Sequence, residues 1–229
     1  MGYLTLPGNP PLTVNLRRST RARRMTLRIS SLDARVTLTV PDTVRDSEAR
    51  AFAQDKEAWL RRHLDAQSAP VQVALGQSLP VEGAMHEIVA GQGRSVARVG
   101  GKLHVPAKDG RVAARLQGFL KTEARRRLAE ASDLYAARLG KAYTRITLRD
   151  TRSRWGSCSS RGALMYSWRL IMAPSHVLNY VAAHEVAHLE QMNHSPAFWQ
   201  IVEQIYGDYA GPRRWLRDDG MALHRIRFD

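Results

Sequence analysis

The sequence predicts an α+β protein, and three observations carry that prediction. Alternating apolar and polar residues, which are typical of strands, recur through the first 105 residues. A long helical period then occupies residues 109–139, and short strand patterns and two further helices follow it. We therefore predict a β-rich N-terminal region with one helix over residues 1–105 and a second, more helical region over residues 106–229.

In the N-terminal region, the alternation in residues 25–29 and 36–40 predicts a hairpin, with a turn-like link at residues 31–34. A helix is predicted from about Ser47 to Leu64 because apolar residues recur on one side of it. Further strand patterns lie at residues 71–75, 85–89 and 103–105.

In the second region, the helix over residues 109–139 is expected to end before Gly140, a residue type favoured just beyond a helix. Strands are predicted at residues 146–148 and 163–171. A second helix is expected to start near Pro174 and reach Met192. Ser195 and Pro196 are typical of a helix start and predict a third helix that ends at Gly207.

The composition is that of a folded, basic chain. Of its 229 residues, 44% are hydrophobic and 24% charged, a balance that disordered chains lack. The single cysteine excludes an internal disulfide framework and a cysteine-rich metal cluster. No run approaches the ~18 consecutive apolar residues of a membrane span, and the first residues do not resemble a secretory signal. We therefore expect a cytoplasmic location and no membrane partner.

The formal net charge is +14, and much of it is concentrated near the start of the chain. Six arginines precede the first acidic residue, Asp33: Arg17, Arg18, Arg21, Arg23, Arg24 and Arg28. Such a patch would suit the phosphates of nucleic acid or a nucleotide. A solvated, basic strand edge that resists aggregation is the alternative interpretation. No motif that reads DNA or RNA accompanies the charge, so both interpretations stay open.

The second predicted helix carries His184-Glu185-Val186-Ala187-His188 between apolar and small residues. Residues four apart share a helix face, so His184 and His188 can bind one metal ion. Glu185 is rotated by about 100° from His184 and can lie beside the metal without binding it, as a base for water must. The sequence therefore predicts one metal ion per chain. Zn²⁺ suits imidazole ligands with an open position best, although Fe, Co, Ni and Mn share those ligands.

A third protein ligand is needed, and His194 is the best candidate. A continuous helix would turn His194 away from the other two histidines, so the helix must break before it. Asn193 tolerates the left-handed backbone of such a break. Glu190 and Glu203 are weaker candidates because of their positions relative to His188.

Two stretches carry a resemblance to a known family. They are ArgTrpGlySerCysSer at residues 154–159 and HisGluValAlaHisLeuGluGlnMetAsnHisSer at residues 184–195, followed by Phe198-Trp199. In this order they resemble the SprT-like/YgjP-like zinc metallopeptidases, a branch of the zincins. The resemblance implies a compact core with a helix beside a small antiparallel sheet, followed by the active-site helix. It also implies Zn²⁺ bound by His184, His188 and His194, and Glu185 as general base.

The expected reaction is hydrolysis of a peptide or protein substrate by water that Glu185 activates. A peptide oxyanion needs a further cationic or hydrogen-bonding partner. The candidates are Arg152, Arg154, Tyr166, Arg169 and His176. Trp155 could line a substrate groove, and the strand at residues 163–171 could pair with an extended peptide by analogy with zincin edge strands. Cys158 is interpreted as part of a tight polar turn rather than as a nucleophile.

Two other functions remain open. A metal-dependent hydrolase of nucleotide phosphoanhydrides would use the arginines to bind phosphate. A nucleic-acid-associated protein, with or without protease activity, would account for the basic charge. A purely structural zinc site would need four protein ligands, and only three good ones are visible in the sequence.

Overall fold

The computed structural model describes residues 2–30, 34–65 and 70–229 and divides into two compact units, Met1–Ala69 and Pro70–Asp229. Both units combine strands and helices, which confirms the predicted α+β class. The boundary suggested by the sequence, between residues 105 and 106, falls inside the second unit. Among the described residues, no helix has both the length and the hydrophobicity that crossing a bilayer requires.

The first unit is a four-stranded sheet with two short helices. Its strands are β1 (Gly2–Leu6), β2 (Leu12–Arg18), β3 (Thr26–Ile29) and β4 (Val36–Val40), and its helices are α1 (Asp46–Asp55) and α2 (Glu57–Asp65). The predicted hairpin is confirmed, because β3 pairs antiparallel with β4. Of its predicted link, residues 31–33 lie outside the described residues. The single helix predicted from Ser47 to Leu64 is instead interrupted at Lys56, where the backbone leaves the helical range (φ −94°, ψ 4°).

The second unit begins with a short strand and a second four-stranded sheet. They comprise β5 (Val71–Gln72), β6 (Ser78–Val81), β7 (Ala84–Gly91), β8 (Ala97–Val99) and β9 (Lys102–Pro106). Strands β6 to β9 form the sheet in the order β6-β7-β9-β8. The patterns at residues 85–89 and 103–105 are confirmed as strands, whereas the pattern at 71–75 yields only the two-residue β5.

A 28-residue helix, α3 (Val112–Leu139), follows this sheet. Its buried residues include Leu116, Leu120 and Leu128, which share one hydrophobic core with Ile88 of β7 and Leu103 of β9. This shared core explains why the chain does not divide at residue 105. Gly140 caps the helix in the left-handed conformation (φ 68°), as predicted.

A three-stranded sheet comes next, formed by β10 (Arg145–Arg149), β11 (Gly156–Cys158) and β12 (Ala163–Ser167) in the order β10-β12-β11. The strand predicted over residues 163–171 ends at Ser167. Residues Trp168–Met172 form a 3₁₀ helix in which every residue is buried, so their apolar run reflects the core and not a strand. The prediction that this strand pairs with an extended peptide, as an edge strand would, is wrong, because β12 already pairs with β10 on one side and β11 on the other.

The remaining helices are α4 (Ser175–Ala187), α5 (Pro196–Tyr206) and α6 (Ala210–Asp218), and β13 (Ile226–Arg227) pairs with β5. The prediction that α4 reaches Met192 is wrong. The amides of Leu189 and Glu190 bond to carbonyls three residues earlier, which tightens the last turn and ends the helix at His188. The start of α5 is confirmed, because the Ser195 hydroxyl accepts a hydrogen bond from the Phe198 amide.

Candidate metal centre

Three histidines meet where α4 ends and α5 begins. His184 and His188 lie one turn apart on α4, and the chain then turns so that His194 returns toward them before α5. One ligand atom from each histidine lies within 4.8 Å of the others. Nε2 of His184 and Nε2 of His194 are 3.1 Å apart. The structure therefore brings together the three histidines that the sequence analysis selected. Helix α4 ends before His194, which allows His194 to turn back toward the other two.

The orientation of His188 leaves its Nε2 free to bind a metal. Its Nδ1 lies 2.9 Å from the carbonyl oxygen of Gln191. A carbonyl can only accept, so Nδ1 carries the hydrogen and Nε2 presents a lone pair. Nδ1 of His184 is buried without a hydrogen-bond partner among the described residues, so packing holds that side of the ring.

Phe198 supplies much of that packing. Its ring stacks on His188, with centroids 4.5 Å apart, and meets His184 and His194 edge-on, each at 4.9 Å. The ring of Trp199 stacks on His194 at 5.8 Å. The sequence analysis used Phe198 only as part of the family resemblance and did not place its ring among the three imidazoles. Its place at the third residue of α5, directly after the Ser195 cap, is the signal that could have indicated it.

The electrostatics keep the His184 and His188 imidazoles uncharged. Burial, together with the neighbouring His188 and His194, lowers the pKa of His184 to about 3. Burial also lowers the pKa of His188, against the opposing effect of its bond to Gln191. Metal binding requires neutral imidazoles, so the protonation state matches that need. The described geometry therefore fits a divalent cation held by three imidazoles.

Glu185 lies beside this cluster in an apolar setting. Its side chain is buried, and no described residue donates a hydrogen bond to its carboxyl group. Burial raises its pKa to about 8, although the Arg154 guanidinium opposes that rise. A carboxyl group with a raised pKa in a cleft is typical of proton-transfer chemistry.

Gly156, the first residue of β11, allows Glu185 to occupy this position. A Cβ atom on Gly156 would lie 2.5 Å from Oε1 and 2.6 Å from Cγ of Glu185. These distances are too short for any side chain at residue 156 unless Glu185 moves. The sequence analysis did not identify this role, because nothing in the spacing of residues 156 and 185 reveals that they touch.

Two cavities open onto the site. One, of about 430 Å³, is lined by the three histidines, Glu185, Arg154 and strand β11. The other, of about 220 Å³, lies between Trp155 and Glu185 and also contacts Tyr180 and Leu216. Arg154 and Trp155 thus lie at the site, as predicted.

The other predicted oxyanion candidates lie elsewhere. Tyr166 is fully buried and shares a hydrogen bond of 3.0 Å with Ser132 of α3. Arg169 is also buried; it binds both carboxylate oxygens of Asp150 and donates to two backbone carbonyls. These buried partners explain why neither side chain lines the two cavities.

The structure also places four further residues that the sequence analysis singled out. Arg152 and His176 are exposed and do not line the two cavities. Glu190, one of the weaker ligand candidates, forms an ion pair with Lys141 at 2.7 Å. The prediction that Cys158 lies in a tight turn is wrong, because Cys158 is the last residue of strand β11 and pairs with Leu164 of β12. Burial, reinforced by the charge of Glu185, raises the pKa of Cys158 to about 11, which keeps it a protonated thiol.

Comparisons with known proteins bear directly on this site. Residues 23–219 match the family model described as YgjP-like, metallopeptidase domain. Among solved structures, the chain is similar to the metallopeptidase zymogen of Pyrococcus abyssi abylysin, with 19% identity and a TM-score of 0.36. That similarity covers 41% of this chain and 95% of the other. A comparison with curated proteins found no match.

Proposed function

Because this chain belongs to the YgjP-like metallopeptidase family, we propose that it is a zinc-dependent peptidase in which Glu185 is the general base. The observation that carries the proposal is one buried carboxyl group beside three converging imidazoles. Zn²⁺ is the favoured ion because it accepts three imidazoles and keeps a fourth position open.

The proposed chemistry assigns a role to each side chain at the site. A Zn²⁺ ion held by His184, His188 and His194 would polarise the scissile carbonyl and lower the pKa of a water molecule to about 7. Glu185 takes a proton from the attacking water and delivers it to the leaving amine. Arg154, the cation beside Glu185, is the candidate for stabilising the oxyanion.

The lack of hydrogen-bond donors around Glu185 supports the role of base. A carboxylate bound by several donors is a weak base, because those donors stabilise its charge. Here burial destabilises the charge instead, and the carboxyl group can accept a proton and give it up again. The cavity between Trp155 and Glu185 provides room for a substrate side chain next to the reacting bond.

The test combines metal analysis of the untagged protein with Glu185→Gln, assayed on a peptide panel and a nucleotide panel. We expect about one zinc per chain in both proteins. Peptide hydrolysis by the variant should fall by about 10²- to 10⁴-fold, the usual contribution of a general base. Glu203→Gln is the matched control, because Glu203 is exposed on α5 and does not line the two cavities.

Three results would contradict the proposal. Full hydrolysis by a pure Glu185→Gln preparation would remove Glu185 as the base. Activity that survives complete removal of metal by a chelator would remove the metal from the reaction. Hydrolysis of nucleotides in preference to every peptide would favour a phosphoanhydride hydrolase.

A further inference from the structure

The outward face of the β10-β12-β11 sheet carries a third cavity, of about 510 Å³. Strand alternation creates this face. Ile146 and Leu148 of β10 pack against the hydrophobic core, so the residues between them point the other way. Arg145, Thr147 and Arg149 all line the outward cavity.

This face is cationic. Three arginines, Arg145, Arg149 and Arg154, line the cavity, and none of the described residues that line it is acidic. All three are exposed. Arg154 also lies near the Glu185 carboxyl group, whereas neither Arg145 nor Arg149 forms an ion pair or a side-chain hydrogen bond with a described residue. By contrast, Arg126 on α3 binds both Glu123 and Glu130. Guanidinium groups without carboxylates favour an anionic ligand.

The outward cavity adjoins the metal centre. Ser153, Arg154, Ser157 and Cys158 line both this cavity and the one that contains the histidines. The outward face is therefore next to the place where a bound peptide would meet the metal centre. Arg145 and Arg149 are four strand residues apart, about 13 Å, which is also the span of four residues of an extended peptide.

We propose that this outward face binds acidic residues of the polypeptide substrate, on one side of the bond to be cleaved. The inference rests on the proposed peptidase function and deepens it, because it gives the substrate class. A polypeptide is favoured over nucleic acid because the face adjoins the cavity of the proposed peptidase centre. No aromatic side chain among its described lining residues offers a surface for base stacking.

The test uses peptides with one common cleavable core and a flank of Glu and Asp, of Gln and Asn, or of Lys. Wild type is compared with the double variant Arg145→Gln/Arg149→Gln. We expect wild type to cleave the acidic peptide with a kcat/KM about 10-fold above that of the amide peptide, as two exposed ion pairs allow. The double variant should lose most of that preference but cleave the amide peptide normally. Added salt should reduce the wild-type preference.

The matched control is Arg126→Gln/Arg217→Gln, which removes the same charge from two arginines that already pair with acidic residues. It should keep the acidic preference. A second readout is the binding of the labelled acidic peptide to Glu185→Gln protein, with and without the two sheet substitutions. This measurement does not depend on cleavage.

The outcomes distinguish a failure of this inference from a failure of the proposed peptidase function. Equal cleavage of acidic and amide peptides would overturn the inference and leave the peptidase function standing. If no peptide is cleaved, the peptidase function fails, and binding alone decides the inference: loss of acidic-peptide binding in the sheet variant supports it, and unchanged binding overturns it. An oligonucleotide of equal charge that binds more tightly than the peptide, dependent on Arg145 and Arg149, would also overturn it.

Discussion

Two buried titratable side chains of the second unit, Arg169 and Glu185, lie in different surroundings. The two differ in whether neighbouring residues form hydrogen bonds with them. Arg169 is surrounded by acceptors: the Asp150 carboxylate and the carbonyl oxygens of Leu223 and Ile226. Glu185 receives no hydrogen bond from any described residue, and burial raises its pKa to about 8. A buried charged group that has all its hydrogen-bond partners typically has a structural role. A buried titratable group that lacks such partners is more typical of a functional site.

Among the variants that test this comparison, Arg169→Gln should have the largest effect, and the effect is on stability. The substitution leaves Asp150 and two carbonyl oxygens without their partner, so we expect the free energy of unfolding to fall by about 3–5 kcal/mol. Denaturant titration measures it. Arg154→Gln is the control, because Arg154 is exposed; its unfolding free energy should change by no more than about 0.5 kcal/mol. Equal destabilisation by both would contradict the assignment of Arg169 to structure and Arg154 to the site.

Gly156→Ala should instead affect the metal centre, because residue 156 contacts Glu185. The new Cβ cannot coexist with Glu185 in its present position, and misplacing a catalytic group by about 1 Å can lower the rate about 10²-fold. We expect kcat/KM for peptides to fall by about that factor while metal content stays unchanged.

The control for Gly156→Ala is Gly118→Ala. Gly118 lies within α3, and a Cβ there meets no atom within 4 Å. That substitution should leave activity unchanged and stabilise the helix by about 0.5–1 kcal/mol. Full activity in Gly156→Ala would show that the carboxyl group need not lie where the structure has it.

The smallest effect should be a pH dependence that arises from Asp150. Burial by itself would raise the pKa of this carboxyl group, but its bonds to Arg169 outweigh that effect, and the net shift is downward. A lowered pKa contributes stability that is complete above the unfolded-state value of about 3.9 and lost as the pH falls through the folded-state value. Because the Asp150 side chain is 43% exposed, the contribution should stay below about 1 kcal/mol.

Unfolding titrations of wild type and Asp150→Asn between pH 3 and 7 would measure that contribution. The two proteins should differ at neutral pH and converge toward pH 3. A difference that grows as the pH falls would show that the carboxyl group is stabilised in its protonated form instead.

Much of the metal centre follows from local sequence. Spacing of four places His184 and His188 on one helix face, and the Ser195-Pro196 start of α5 forces a turn that contains His194. The arginines were less predictable. Arg154 and Arg169 are the same residue type and both were oxyanion candidates, and only the packing shows that one lies at the cavities and the other binds Asp150.

The sequence alone determined the α+β class, the histidine spacing, the cap at Gly140 and the start of α5, because periodicity and caps depend on residues within about one helical turn. The tertiary structure decided where α4 ends, that β12 lies between two other strands, and that Gly156 touches Glu185. It also decided that the buried Arg169 has hydrogen-bond partners and that Glu185 has none among the described residues. Those outcomes depend on contacts between residues distant in the chain, which no local pattern encodes.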